Sequence, residues 1–135
     1  MEANTETQSS TETPVVEAPQ ASSNTNSSNV TLNDRQNNSS IDVNYPNLKK
    51  AALVLRAMNH KLRQEIVQLL DQNEKMTVTE IYVKLRLEQS VASQHLAILR
   101  RAGIVATKRD GKFIYYSVDY KRVSDVTKFV ADLVG

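Results

Sequence analysis

The residues best equipped for chemistry lie in one stretch, Glu88 to Tyr116, EQSVASQHLAILRRAGIVATKRDGKFIYY. Small polar side chains come first: Gln89, Ser90, Ser93 and Gln94, with Val91 among them. Five cations follow, Arg100, Arg101, Lys108, Arg109 and Lys112. A glutamine amide can pair bidentately with adenine, a serine hydroxyl can donate or accept, and a valine methyl can touch the thymine methyl. Clustered cations neutralise phosphates. The chemistry indicated is recognition of duplex DNA, with base edges read by the first group and backbone held by the second.

That chemistry needs a helix and a hairpin. On a wheel of about 100° per residue, Ala92, Leu96, Leu99 and Gly103 fall within roughly 60° of one another. They predict a buried stripe on a helix from Gln89 to Ala102, with Gly103 as its left-handed stop. Ser90, Gln94, Ala97 and Arg101 lie opposite, with Gln89 and Ser93 on one flank and Val91 on the other. The helix start adds free amide N–H groups and the positive end of the dipole. Arg101, two turns on, is placed to meet a phosphate. A merely solvated polar face would read much the same along this helix, and it is the cations of the hairpin that separate the two readings. Ile104 to Thr107 and Phe113 to Ser117 are β-prone, and Asp110-Gly111 between them signals a type I′ turn, whose two central residues both take positive φ.

Upstream, Thr77-Val78-Thr79-Glu80 reads as a capping box. It opens a short helix with Ile81 and Leu85 inward that ends around Arg86-Leu87. Two short helices so closely joined outline a helix-turn-helix. Leu48, Ala51, Ala52 and Leu55 mark an earlier helix that ends near Met58. Asn59 is expected to break the chain and cap the next helix, where Leu62, Ile66, Leu69 and Leu70 repeat. A last helix runs from about Tyr120 to Leu133, with Val123, Val126, Val130 and Leu133 on one side and Phe129 beside them. The fold class predicted is mainly α with a small β-hairpin wing, a winged helix-turn-helix.

Composition divides the 135 residues in two. Residues 1–45 hold 25 Ser, Thr, Asn or Gln and six acids against one base, which predicts a disordered, polar, acidic tail. Residues 46–135 hold the other sixteen bases and nine acids, a basic domain suited to an anionic partner. There is no cysteine, which removes disulfides, thiolate metal sites and thiol catalysis. MEANTETQSS has neither a basic nor an apolar signal region, and no run of about 18 apolar residues predicts a membrane span, so a cytoplasmic protein is expected.

With these residues in place, the chain resembles the ArsR/SmtB family of bacterial winged-helix repressors. The resemblance rests on Ala57-Met58-Asn59-His60-Lys61-Leu62-Arg63, on Gln89 to Leu96, on Leu99-Arg100-Arg101-Ala102-Gly103-Ile104-Val105, and on Gly111-Lys112-Phe113-Ile114-Tyr115-Tyr116. It covers about residues 48–133. Lys61 stands where the family usually has a proline. The resemblance implies a homodimer through the first and last helices, and the stripes Leu48, Ala52, Leu55 and Val123, Val126, Val130, Leu133 suit that interface. The alternative is that these stripes only close the monomer core. A two-fold dimer predicts a pseudo-palindromic operator.

Many members of that family sense metals. One of their metal sites uses a Cys-x-Cys pair where this chain has Thr77 and Thr79, poor ligands for such ions. Another uses Asp and His along the last helix, which here carries Asp119, Asp125 and Asp132 but no His. His60 and His95, the only histidines, read as structural or phosphate-contacting. No metal, cofactor or catalysis is expected: the chain has no glycine-rich phosphate loop and no paired carboxylates on a shared face. The sequence therefore predicts a homodimeric double-stranded-DNA-binding regulator, a repressor without a metal effector. The competing expectation is a winged-helix interaction module that docks an acidic protein.

Overall fold

The computed structural model describes residues 29–135. These fall into two compact units, divided between Lys49 and Lys50.

The first unit departs from the expected tail. The part of that tail before Asn29 lies outside the described residues, but Asn29–Asp34 (β1) and Ser39–Asn44 (β2) form an antiparallel hairpin. The registers Val30↔Val43 and Leu32↔Ile41 place four apolar side chains on one face. That alternation is a strand pattern, and a composition taken over 45 residues averages it away. Asp34 ties the turn, its carboxylate accepting the Gln36 N–H at 3.1 Å, the Asn37 N–H at 3.3 Å and the Asn37 side-chain N–H at 2.8 Å. These bonds, the Asn37 side chain first, hold its carboxyl below the ordinary carboxylate range. Asn38 closes the turn at φ +54°, a conformation Asn tolerates better than most residues. Asn44 then starts the first helix, Tyr45–Met58 (α1), by accepting the Asn47 N–H on its side-chain oxygen at 3.0 Å.

In the second unit α1 continues and is followed by Lys61–Asn73 (α2). The cap of α2 is His60, not Asn59: the His60 Nδ1 accepts the Leu62 N–H at 3.1 Å, while the Asn59 N–H still donates to the Leu55 carbonyl and so belongs to the end of α1. A short strand, Met76–Thr77 (β3), leads into Val78–Leu85 (α3), and Gln89–Arg101 (α4) follows. Val105–Asp110 (β4) and Phe113–Val118 (β5) make the wing, and Tyr120–Val134 (α5) ends the chain. The sheet order is β3-β5-β4, all antiparallel.

Ile66, Leu70, Ile81, Leu96, Leu99 and Ile104 are the largest fully buried side chains. They come from α2, α3, α4 and the approach to β4, so the inner side of α4 is seated on a core shared with α2, α3 and the start of the wing. Each such side chain contributes about 1.5–3 kcal/mol of burial. The Tyr120 hydroxyl donates to the Asp71 carboxylate and so ties the start of α5 to α2, and that bond raises the phenol pKa.

Candidate nucleic-acid interface

The helix-turn-helix begins with the predicted capping box. The Glu80 N–H donates to the Thr77 hydroxyl at 3.2 Å, and the Thr77 N–H donates to the Glu80 carboxylate at 2.9 Å. α3 then stops at Arg86, which sits at φ +57° with its N–H donating back to the Val83 carbonyl. A left-handed arginine has no warning in the sequence, where a glycine would have announced the turn. Only Arg86, Leu87 and Glu88 separate α3 from α4.

α4 has the predicted two faces. Ala92, Leu96 and Leu99 are fully buried, and Gln89, Ser90, Ser93, Gln94 and Arg101 are exposed. Val91, expected on the outer flank, is half-buried, so its methyls are only partly free for a partner. The first turn carries no side-chain cap: Glu88 precedes it without bonding its amides. Those N–H groups, at the positive end of the helix, remain open to an anion.

His95 of α4 meets Arg63 of α2 at the side of the helix. Arg63 is only 7% exposed, and its guanidinium donates to the Ala57 carbonyl at 2.7 Å and the Arg56 carbonyl at 3.0 Å, filling the open end of α1. The same guanidinium lies 3.3 Å from the His95 Nδ1, and the His60 and His95 rings stand 4.9 Å apart. Burial, then the nearby His60 and Arg63, hold His95 below its ordinary pKa of 6.5. A neutral ring accepts from Arg63 where a charged one would repel it. His95 is thus a packing residue at the edge of the buried stripe. Arg63, which sequence reasoning left unassigned, is what holds it there.

At the exit of α4, Gly103 takes φ +78°. A side chain there would also meet the Arg122 guanidinium, which donates to the Ala102 carbonyl at 3.1 Å. The wing differs from expectation in its turn. Asp110 pairs with Phe113, leaving Gly111-Lys112 as the two-residue loop, and Gly111 is positive at φ +65° while Asp110 is not. A positive first position and an ordinary second one describe a type II′ turn. The shift of one residue puts Lys112 in the loop itself. Lys108, Arg109 and Lys112 are all exposed, as are Phe113 and Ile114 beside them. The Arg109 guanidinium donates to the Gly111 carbonyl at 3.2 Å, which steadies the tip.

Three of the positions that the resemblance sets against family metal sites have partners in the fold. The Thr77 hydroxyl is spent on the cap, Asp119 caps α5 by accepting the Arg122 N–H at 3.1 Å, and Asp125 binds Lys121 at 3.0 Å. Among the described residues no helix is long and apolar enough to cross a membrane.

Residues 60–107, from the cap of α2 into the wing, match the family model described as bacterial regulatory protein, arsR family. An HTH-type transcriptional regulator of Methanocaldococcus jannaschii is 35% identical over 85 residues, 63% of this chain and 96% of that protein. The transcriptional activator HlyU of Vibrio cholerae is 39% identical over 77 residues, 57% of this chain and 70% of that protein. The crystal structure of the transcriptional repressor PagR of Bacillus anthracis superposes with a TM-score of 0.53 at 35% identity, over 64% of this chain and 98% of that one. The two-faced α4, the cationic wing and these likenesses agree: the chain belongs to the ArsR family of winged-helix transcriptional regulators, and is not an enzyme.

Proposed function

We propose that this regulator is a homodimeric repressor that reads a pseudo-palindromic duplex operator and needs no metal effector. The observation that carries the reading is α4 itself, with three inward positions fully buried and Gln89, Ser90, Ser93 and Gln94 exposed at an uncapped first turn. Those four residues, with the accessible part of Val91, would read base edges in the major groove. Arg101, Lys108, Arg109 and Lys112 would hold phosphates on either side.

Dimerisation is supported by α1 and α5. Leu48, Ala52 and Leu55 recur along one stripe of α1, with Leu48 and Ala52 exposed. On α5, Val123, Val126 and Val130 are half-buried, Leu133 is 67% exposed, and no residue of that helix is fully buried. A second copy is the simplest cover for such stripes, and two-fold symmetry would set operator half-sites about 34 Å apart. The metal-free reading rests on the Thr77, Asp119 and Asp125 side chains already having partners in the fold. The named relatives include both an activator and a repressor, so the direction of regulation is part of the proposal. Its workplace would be the cytoplasm, with the DNA.

Selection of bound sites from random duplex by the purified protein tests this directly. Enrichment of an inverted repeat with one-turn spacing is expected. No binding to any duplex at low salt would overturn the reading in favour of an acidic protein partner. Loss of DNA affinity on adding Zn²⁺ or Ni²⁺, reversed by a chelator, would overturn the metal-free part.

A further inference from the structure

Five cations, Lys50, Arg56, Arg63, Arg101 and Arg122, line one cavity of about 630 Å³ where α1, α2, α4 and α5 meet. No Asp or Glu lines it. Its remaining wall is apolar, with Leu53, Val54 and Ile98 prominent. Two of the cations are fixed, Arg63 by the carbonyls ending α1 and Arg122 by the Ala102 carbonyl ending α4. Among the described residues, the side chains of Lys50, Arg56 and Arg101 make no hydrogen bond or ion pair. Like charges gathered around one concavity repel each other, and their field focuses there. A surface that only had to be soluble would intersperse acids. The volume is that of a small-molecule site, which is typically apolar with a few convergent polar groups.

We propose that this cavity binds an amphipathic organic anion, a carboxylate with an apolar tail, and that its binding releases DNA. The tail lies along Leu53, Val54 and Ile98, and the carboxylate takes the free guanidinium groups of Arg56 and Arg101. Arg101 cannot hold a carboxylate and a DNA phosphate at once, so the two ligands exclude each other, and each weakens the other by the same factor. The release of DNA rests on the reading of Arg101 as a phosphate contact, whereas the binding of the anion does not.

The test uses the full chain and three probes: decanoate, decanol with the same tail and no charge, and inorganic phosphate with charge and no tail. Calorimetric titration of protein alone should show saturable binding of decanoate and little of the other two. Arg56→Gln should weaken decanoate about tenfold, the scale of one charge-assisted bond. Saturable phosphate binding equal to that of decanoate would overturn the proposal by making the cavity a simple phosphate site, and so would the absence of any saturable binding. Binding that weakens as protein concentration rises would assign the cavity to a second copy and overturn it as well. In a second arm, decanoate should lower affinity for a selected duplex in the native protein and do so less in Arg56→Gln. Decanoate binding with unchanged DNA affinity would overturn the release of DNA alone. Absence of DNA binding before any decanoate is added would instead count against the reading of α4 and the wing, leaving the first arm to judge the cavity.

Discussion

α4 and α5 are helices of similar length, 13 and 15 residues, and both carry a regular apolar stripe. They end in opposite conditions. α4 buries Ala92, Leu96 and Leu99 completely, whereas α5 buries nothing completely and leaves Phe129 and Leu133 largely in water. Amphipathicity alone therefore does not say what a helix packs against. In α4 the apolar side is consumed by the monomer core, and the polar side is left for a ligand. In α5 Val123 and Val126 pack against the edge of that core, and Phe129 and Leu133 are left exposed. The core is closed beneath α4 and leaves apolar surface exposed along α5.

The largest effect should come from removing a buried position of α4. Leu96→Ala leaves a cavity beneath the reading face and should cost about 2–5 kcal/mol in urea unfolding. Leu133→Ala on α5 should cost little in the stability of the isolated chain and act on association, weakening the proposed dimer by up to about 1.5–3 kcal/mol per Leu133 covered. Sedimentation at falling protein concentration reads this. Equal unfolding losses for both variants, with no change in association, would erase the contrast between the helices.

Recognition comes next in size. Gln94→Ala should lose about 1–3 kcal/mol on the selected operator and relax the base preference at one position. Lys112→Ala should weaken binding to all duplexes alike and lower the salt slope by about one unit. Competition assays at two salt concentrations separate them. Identical losses on specific and random DNA for both variants would show that α4 and the wing do the same work.

What the sequence disclosed follows the same contrast. Strong periodicity under local control was legible: the α4 wheel, the Thr77/Glu80 box and the stop at Gly103 are all read from residues within one or two turns of each other. Features decided by distant or unusual backbone were not. The left-handed Arg86 has no glycine to mark it. The wing turn moved by one residue because the strand register places Asp110 opposite Phe113, and register is set by the whole sheet. Asn59 has the residue type of a cap and His60 does not, and only the path of the chain decides which side chain faces the open amides. The hairpin at Asn29–Asn44 was hidden by its own polarity, since four apolar residues among many Asn and Ser leave the average unchanged. Arg63 had no assigned role, because nothing local shows that the end of α1 will close over it.

The smallest effect expected is one of pH, and it concerns the flank of α4. His95 is held below its ordinary pKa by burial first, then by His60 and Arg63. The folded protein therefore binds this proton less readily than the unfolded chain does. Well above pH 6.5 both states are neutral at this residue and the term is silent. As pH falls through 6.5 the unfolded chain takes up protons first, and stability declines until the folded ring is protonated too. Protonation also turns the Nδ1 from an acceptor into a donor facing the Arg63 guanidinium, so the contact at 3.3 Å is lost as the charge appears. His95→Gln keeps a polar side chain at the site and removes the titration, so its unfolding midpoint in urea should fall less between pH 7.5 and about pH 5.5 than that of the native protein. If the two fall in parallel, the acid sensitivity belongs to other groups. The buried side of α4 would then be indifferent to charge at its edge, a sharper division between its two faces than the structure draws.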